Sequence, residues 1–145
     1  MSLLYMLDTN MVSYIAKGNS SAARIRLTTL RDDEVVCISA ITEAEIHYGL
    51  AKRPDATALR SVMKGLLARL RVLPWGRNEA QSYGELRAKL EASGRSLGQM
   101  DMLIAAHAVA MDAVLVTRDA AFQQVEALRP VVDWATDLQG VPGSS

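Results

Sequence analysis

The stretch Leu3-Leu4-Tyr5-Met6-Leu7-Asp8-Thr9-Asn10 decides the fold. Five apolar residues run without interruption into a carboxylate, a hydroxyl and an amide. A short continuous apolar run fits a strand buried on both faces, as in a parallel sheet. In open α/β sheets, ligands sit in the crevice beyond the carboxyl ends of the strands. Asp8 stands where such a strand ends, so the rest of the chain is read for the residues that join it there.

Outward from Asn10, Met11 to Ala16 reads as a helix stopped at Lys17-Gly18. Asn19, Ser20 and Ser21 offer caps for a second helix through Leu30. Val35 to Ile38 is a second strand, and Ser39 to Leu50 returns to helix. Pro54 suits the first turn of the next helix, whose apolar stripe runs from Leu59 to Leu70, with Arg60, Lys64 and Arg71 beside it. Arg71 to Trp75 is a brief edge strand, stopped by Pro74. Helices over Asn78–Ala92 and Met100–Met111 flank a loop with two glycines, and Ala113 to Thr117 is another buried strand. Val131-Val132 makes a last short strand. Strands alternating with helices define the α/β class with a mainly parallel sheet. One domain is expected over residues 1–136, with a flexible tail over 137–145.

The 145 residues suffice for one well-packed core, and a half-hydrophobic composition with 22% charged residues is that of a soluble globular protein. Formal net charge is zero, so any nucleic-acid binding needs a local basic patch. The single cysteine, Cys37, lies in an apolar run and reads as a buried inert thiol, which fits a reducing cytoplasm. No signal peptide is expected. The longest apolar stretch, Met102 to Val116, is interrupted by His107 and Asp112 and is too short for a membrane span.

Two buried strands end alike, one at Asp8 and one two residues before Asp119. Asp101 lies in the first turn of a helix, where it also has an ordinary use in complementing the helix dipole. Glu43 and Glu45 follow the second strand but project about 200° apart on their helix, so only one reaches a common site. Thr42-x-x-Glu45 also matches a capping box, and local pattern does not choose between the glutamates. Carboxylates converging without cationic partners repel, and an all-oxygen set favours Mg²⁺ or Mn²⁺ over Zn²⁺. Such cations serve phosphate chemistry, where they activate water and neutralise developing charge. His47 and His107 form an alternative acid–base pair for a metal-independent ribonuclease. The run from Lys52 to Arg71, with Lys52, Arg53, Arg60 and Lys64, offers a track for RNA phosphates or an ordinary solvated face. No glycine-rich phosphate loop or Cys-x-x-Cys pattern is present.

Four stretches together resemble the PIN-domain family and, within it, the VapC toxins of bacterial type II toxin–antitoxin pairs. They are Leu7-Asp8-Thr9-Asn10, Ile38-Ser39-Ala40-Ile41-Thr42-x-x-Glu45-x-x-x-Gly49, Asp101-Met-Leu-Ile-Ala-Ala-His-Ala, and Leu115-Val116-Thr117-x-Asp119 with Phe122 after it. The resemblance implies a five-stranded parallel sheet flanked by helices and an acidic Mg²⁺ or Mn²⁺ site that cuts RNA with metal-activated water, leaving a 3′-hydroxyl and a 5′-phosphate. It selects Glu45 over Glu43 and makes Asp8 and Asp101 the principal metal ligands, with Glu45 and Asp119 completing the set. Family members often carry Thr-Asn-Asn where this chain has Thr117-Arg118-Asp119, which leaves direct and water-mediated ligation by Asp119 both open. Thr9, Asn10 and Thr117 are implied to orient carboxylates or water. The implied partners are RNA, including tRNA, a VapB-type antitoxin and a second copy of the chain. A PIN-like module that binds RNA or a protein without cutting is the alternative.

Overall fold

The computed structural model describes residues 2–135; the tail expected over 137–145 lies outside them. Strand β1 (Leu3–Leu7) pairs in parallel with β2 (Glu34–Ser39) on one side and with β4 (Val114–Val116) on the other. Strand β3 (Arg71–Leu73) adds to β2, giving the order β3-β2-β1-β4. The sheet is parallel throughout, and the short segment before Pro74 takes the edge, where a missing amide donor costs least.

The expected fifth strand contracts to one bridge, Val116–Val132. Val132 pairs in both directions, donating to the Leu115 carbonyl at 3.0 Å and accepting from the Thr117 amide at 2.8 Å. Pro130 has no amide to donate before it, and Asp133 turns the chain after it by accepting the Ala135 amide.

Six helices cover the two faces: α1 (Thr9–Ala16), α2 (Ser21–Thr28), α3 (Ala40–Ala51), α4 (Thr57–Arg69), α5 (Arg77–Ala92) and α6 (Gln99–Ala110). Two 3₁₀ turns, Ala120–Gln124 and Glu126–Leu128, follow β4. Side chains alternate across the sheet as the strand period demands. Leu7, Ile38 and Val116 face α1 to α4, while their neighbours Met6, Cys37 and Leu115 face α5, α6 and the 3₁₀ turns. Helix α6 meets its side of the core with Ile104, Ala105, Ala106 and Ala108, all fully buried. Cys37 is likewise buried, and burial pushes its thiol up to about 12. No helix among the described residues is long and apolar enough to cross a membrane.

Local boundaries have local causes. Gly18 follows α1 at a φ of 72°, so that its amide reaches the Ile15 carbonyl and the Asn19 amide reaches Tyr14. Helix α2 stops at Thr28, short of the expected Leu30, where the Thr28 and Thr29 hydroxyls both bond the Ile25 carbonyl. Pro54 falls in the turn before α4 rather than in its first turn, and Arg71 belongs to β3 rather than to the α4 surface. Below the sheet, Arg26 makes two hydrogen bonds to Glu34 and stacks on Tyr5 and Trp134.

Candidate active site

Because Leu7 pairs with both Ile38 and Val116, the residues that follow these three lie together at the carboxyl end of the sheet: Asp8, Ser39 and Thr117. Each then opens, caps or precedes a helical segment. Asp8 caps α1, its Oδ1 accepting the Met11 amide at 2.8 Å. Ser39 caps α3 by accepting the Ile41 amide at 3.0 Å. Asp119, two residues past Thr117, caps the first 3₁₀ turn through Ala121 at 2.9 Å.

Asp8 is only 2% exposed, and Thr117 Oγ1 donates to its Oδ2 at 2.6 Å. Burial pushes the Asp8 carboxyl up to about 6; bonds from Thr117 and Met11 oppose the shift, and the charges of Asp101 and Asp119 add to it. Asp101 sits in the first turn of α6, whose cap is Gly98. Its pKa is also raised, by burial first and then by the charges of Asp119 and Glu45. The four acids thus form one field of like charge, and no lysine or arginine is among the groups that set either shift.

The two glutamates separate cleanly. Thr9 Oγ1 donates to Glu45 Oε1 at 2.6 Å and lies 3.2 Å from the Thr42 hydroxyl, whereas Glu43 faces His47 at 3.9 Å. The capping-box reading of Thr42 and Glu45 does not hold, since Ser39 is the cap and Thr42 is buried beneath Thr9. Asn10 is exposed and outside this hydrogen-bond set, and Asp119 is exposed as well.

The histidines do not form a pair. His47 is on the surface of α3. His107 is fully buried with Nδ1 2.8 Å from Ser39 Oγ and, among the described residues, no partner for Nε2, and burial lowers its pKa.

A cleft of about 230 Å³ runs from Thr9 and Glu45 to Lys17, Lys52 and Arg53. Of the basic run, Lys52 and Arg53 line it. Arg60 instead donates to the Leu50 carbonyl at 2.9 Å, closing the end of α3, and Lys64 is exposed on α4 outside the cleft. Sequence reading missed Ser13 and Lys17, which share the cleft with Thr9. The signal was their spacing, since residues 9, 13 and 17 recur at four-residue intervals along one helix face.

Among the described residues, no three His, Cys, Asp or Glu side chains already converge closely enough to hold an ion. Asp8, Glu45 and Asp119 are each held by hydrogen bonds from the protein. Their oxygens retain acceptor capacity, and an uncompensated all-oxygen acidic set is the donor chemistry of a hard divalent cation.

The chain is similar to "Ribonuclease VapC2" of Rickettsia felis, 35% identical over 117 residues that make up 81% of this chain and 87% of that protein. It is similar to the "tRNA(fMet)-specific endonuclease VapC" of Shigella flexneri, at 32% identity over 92% of this chain and 99% of that one. Of solved structures, VapBC2 from Rickettsia felis bound to a promoter DNA fragment matches with a TM-score of 0.83 at 32% identity, covering 90% of this chain and 98% of that chain. The PIN domain pattern itself extends over residues 5–128, from β1 to the end of the second 3₁₀ turn. With acids delivered to one sheet edge by β1, α3, α6 and the turn after β4, this chain belongs to the PIN-domain family.

Proposed function

We propose that this protein is the toxin of a toxin–antitoxin pair, a Mg²⁺-dependent endoribonuclease acting on RNA of the tRNA class. The observation that carries the reading is the uncompensated acidic field around Asp8, whose carboxyl stands near 6 with Asp101 and Asp119 adding to the shift. PIN-domain nucleases are in general metal-dependent, and the proteins this chain resembles are named as VapC ribonucleases.

In this reading Asp8, Asp101 and Glu45 hold Mg²⁺, or Mn²⁺ in its place, with Asp119 direct or through water. The cation supplies Lewis acidity toward a phosphodiester oxygen and lowers the pKa of water. The chain's own work is positional. Thr117 fixes Asp8 and Thr9 fixes Glu45, while the exposed Asn10 serves to orient water. Lys52 and Arg53 receive RNA phosphates in the cleft, and Arg60 and Lys64 serve as further contacts outside it. Hydrolysis joins a water oxygen to phosphorus and releases the 3′-oxygen with a proton, leaving a 5′-phosphate.

The protein works in the cytoplasm as one domain over residues 1–136, forms a homodimer, and is neutralised by a VapB-type antitoxin. The solved relatives include toxin–antitoxin complexes. The test is cleavage of cellular RNA with Mg²⁺, with Mn²⁺ and with EDTA, for the wild type and for Asp8→Ala and Asp101→Ala. Cleavage that needs metal and both aspartates, with growth arrest on expression relieved by the antitoxin, is expected. Cleavage that persists in EDTA overturns the metal reading. Bound metal without cleavage of any RNA assigns the alternative, a PIN-like binding module.

A further inference from the structure

Helix α3 carries a glycine that its own packing does not ask for. Gly49 sits inside the helix, and a Cβ built there meets nothing within 4 Å. It is exposed and not at a positive φ, so neither a close neighbour nor a turn requires it. Glycine weakens a helix interior relative to alanine, and its remaining use is to let another backbone approach closely.

The cleft explains where that approach occurs. Gly49 lines it one helical turn beyond Glu45, on the way to Lys52 and Arg53. From Glu45 to Lys52 the helix rises roughly 10 Å. Opposite runs the face of α1 that bears Thr9, Ser13 and Lys17. The cleft is thus acidic at one mouth and carries three cations at the other, over an apolar floor that includes Ile46 and Met63. A chain that bears negative charge all along its backbone fits the cationic end, and its reacting phosphate fits the end where a metal offsets the acids.

We infer that the α1–α3 cleft is the path of the RNA strand flanking the scissile phosphate. Gly49 keeps its α3 wall low, and Lys17, Lys52 and Arg53 each hold a neighbouring phosphate. The inference rests on the nuclease reading above and adds the direction in which substrate leaves the acids.

The test compares Gly49→Leu with Gly84→Leu, a control at an exposed glycine of α5 where a Cβ likewise meets nothing. Unfractionated tRNA serves as the probe, with binding measured in EDTA and cleavage in Mg²⁺. Both variants should melt at least as high as the wild type, by roughly 2–4 °C more. Gly49→Leu should weaken tRNA binding by about tenfold or more, and Gly84→Leu should leave it unchanged. The combined Lys17→Ala, Lys52→Ala, Arg53→Ala protein should lower the salt dependence of binding by about 2 in log–log slope. Wild-type cutting with all variants unchanged overturns the cleft alone, whereas a wild type that neither binds nor cuts tRNA overturns the nuclease reading with it. Variants that bind tRNA normally yet escape a co-expressed antitoxin assign the cleft to the protein partner and likewise overturn the inference.

Discussion

Thr117 Oγ1 donates to Asp8 Oδ2 at 2.6 Å across 109 positions of sequence, and the same hydroxyl accepts the Asp119 amide at 2.9 Å. One side chain thereby ties two of the four acids together. The bond favours the ionised form of Asp8 against its burial. Replacing Thr117 with valine should raise the Asp8 pKa further, by about 1–2 units if the bond contributes about 1.5–3 kcal/mol. The acid limb of the pH–cleavage profile should move up with it. Thr117→Ser should restore the wild-type limb, and a limb that ignores both changes would falsify the coupling.

Without metal, the raised Asp8 pKa makes the folded protein pH-sensitive in a definite direction. The unfolded chain releases this proton near the ordinary aspartate value, and the folded protein holds it to about 6. Between those values the folded state binds more protons, so stability falls as pH rises from about 4 to about 6 and then levels. Asp8→Asn keeps a capping side chain and removes the titration. It should raise metal-free stability above pH 6 by at most about 3 kcal/mol. Denaturation curves across this range read both effects. Added Mg²⁺ should raise the melting temperature of the wild type and not of Asp8→Asn.

Glu45 and Glu43 should differ sharply. Glu45→Gln is expected to abolish cleavage, while Glu43→Gln, which loses the pair with the exposed His47, should stay within about twofold, since exposed pairs contribute little. Thr9→Val removes the group that holds Glu45 and should cost about 10–100-fold, with Thr9→Ser recovering most of it. Equal losses at both glutamates in a cleavage assay would reverse the assignment.

Ser39 and His107 bear on stability rather than chemistry. Ser39→Ala strips the cap from α3 and leaves His107 without its partner, a loss of about 2–3 kcal/mol in chemical denaturation. His107→Met removes both the bond and the buried nitrogen that lacks one, and should change stability by about 1 kcal/mol or less. Neither His107→Met nor His47→Ala should abolish cleavage. Loss of activity in a well-folded histidine variant would revive the metal-independent alternative.

The apolar run ending at Asp8 and the alternation of strands with helices were legible because buried parallel strands leave continuous hydrophobic stretches. The choice of Glu45 came from resemblance, since helix geometry alone left both glutamates available. Its physical cause is Thr9, on a helix that is distant in sequence, and no local pattern encodes that meeting. The fate of Arg60 was hidden for a similar reason: its guanidinium closes α3 rather than facing the cleft, a contact set by how α3 and α4 pack. The last strand is short because Pro130 has no amide to donate before it and the Asp133 side chain turns the chain after it by accepting the Ala135 amide, which residue hydrophobicity does not report.

The strand order β3-β2-β1-β4 carries a consequence for synthesis. The first half of the chain brings only Asp8 and Glu45, and the second half brings Asp101 and Asp119. Strand β4 joins the sheet beside the first strand made, so a growing chain holds an incomplete set of acids until β4 and the turn after it have been made. Until then the acids already made lack the company of Asp119, so the acidic site is assembled only with the last strand to enter the sheet.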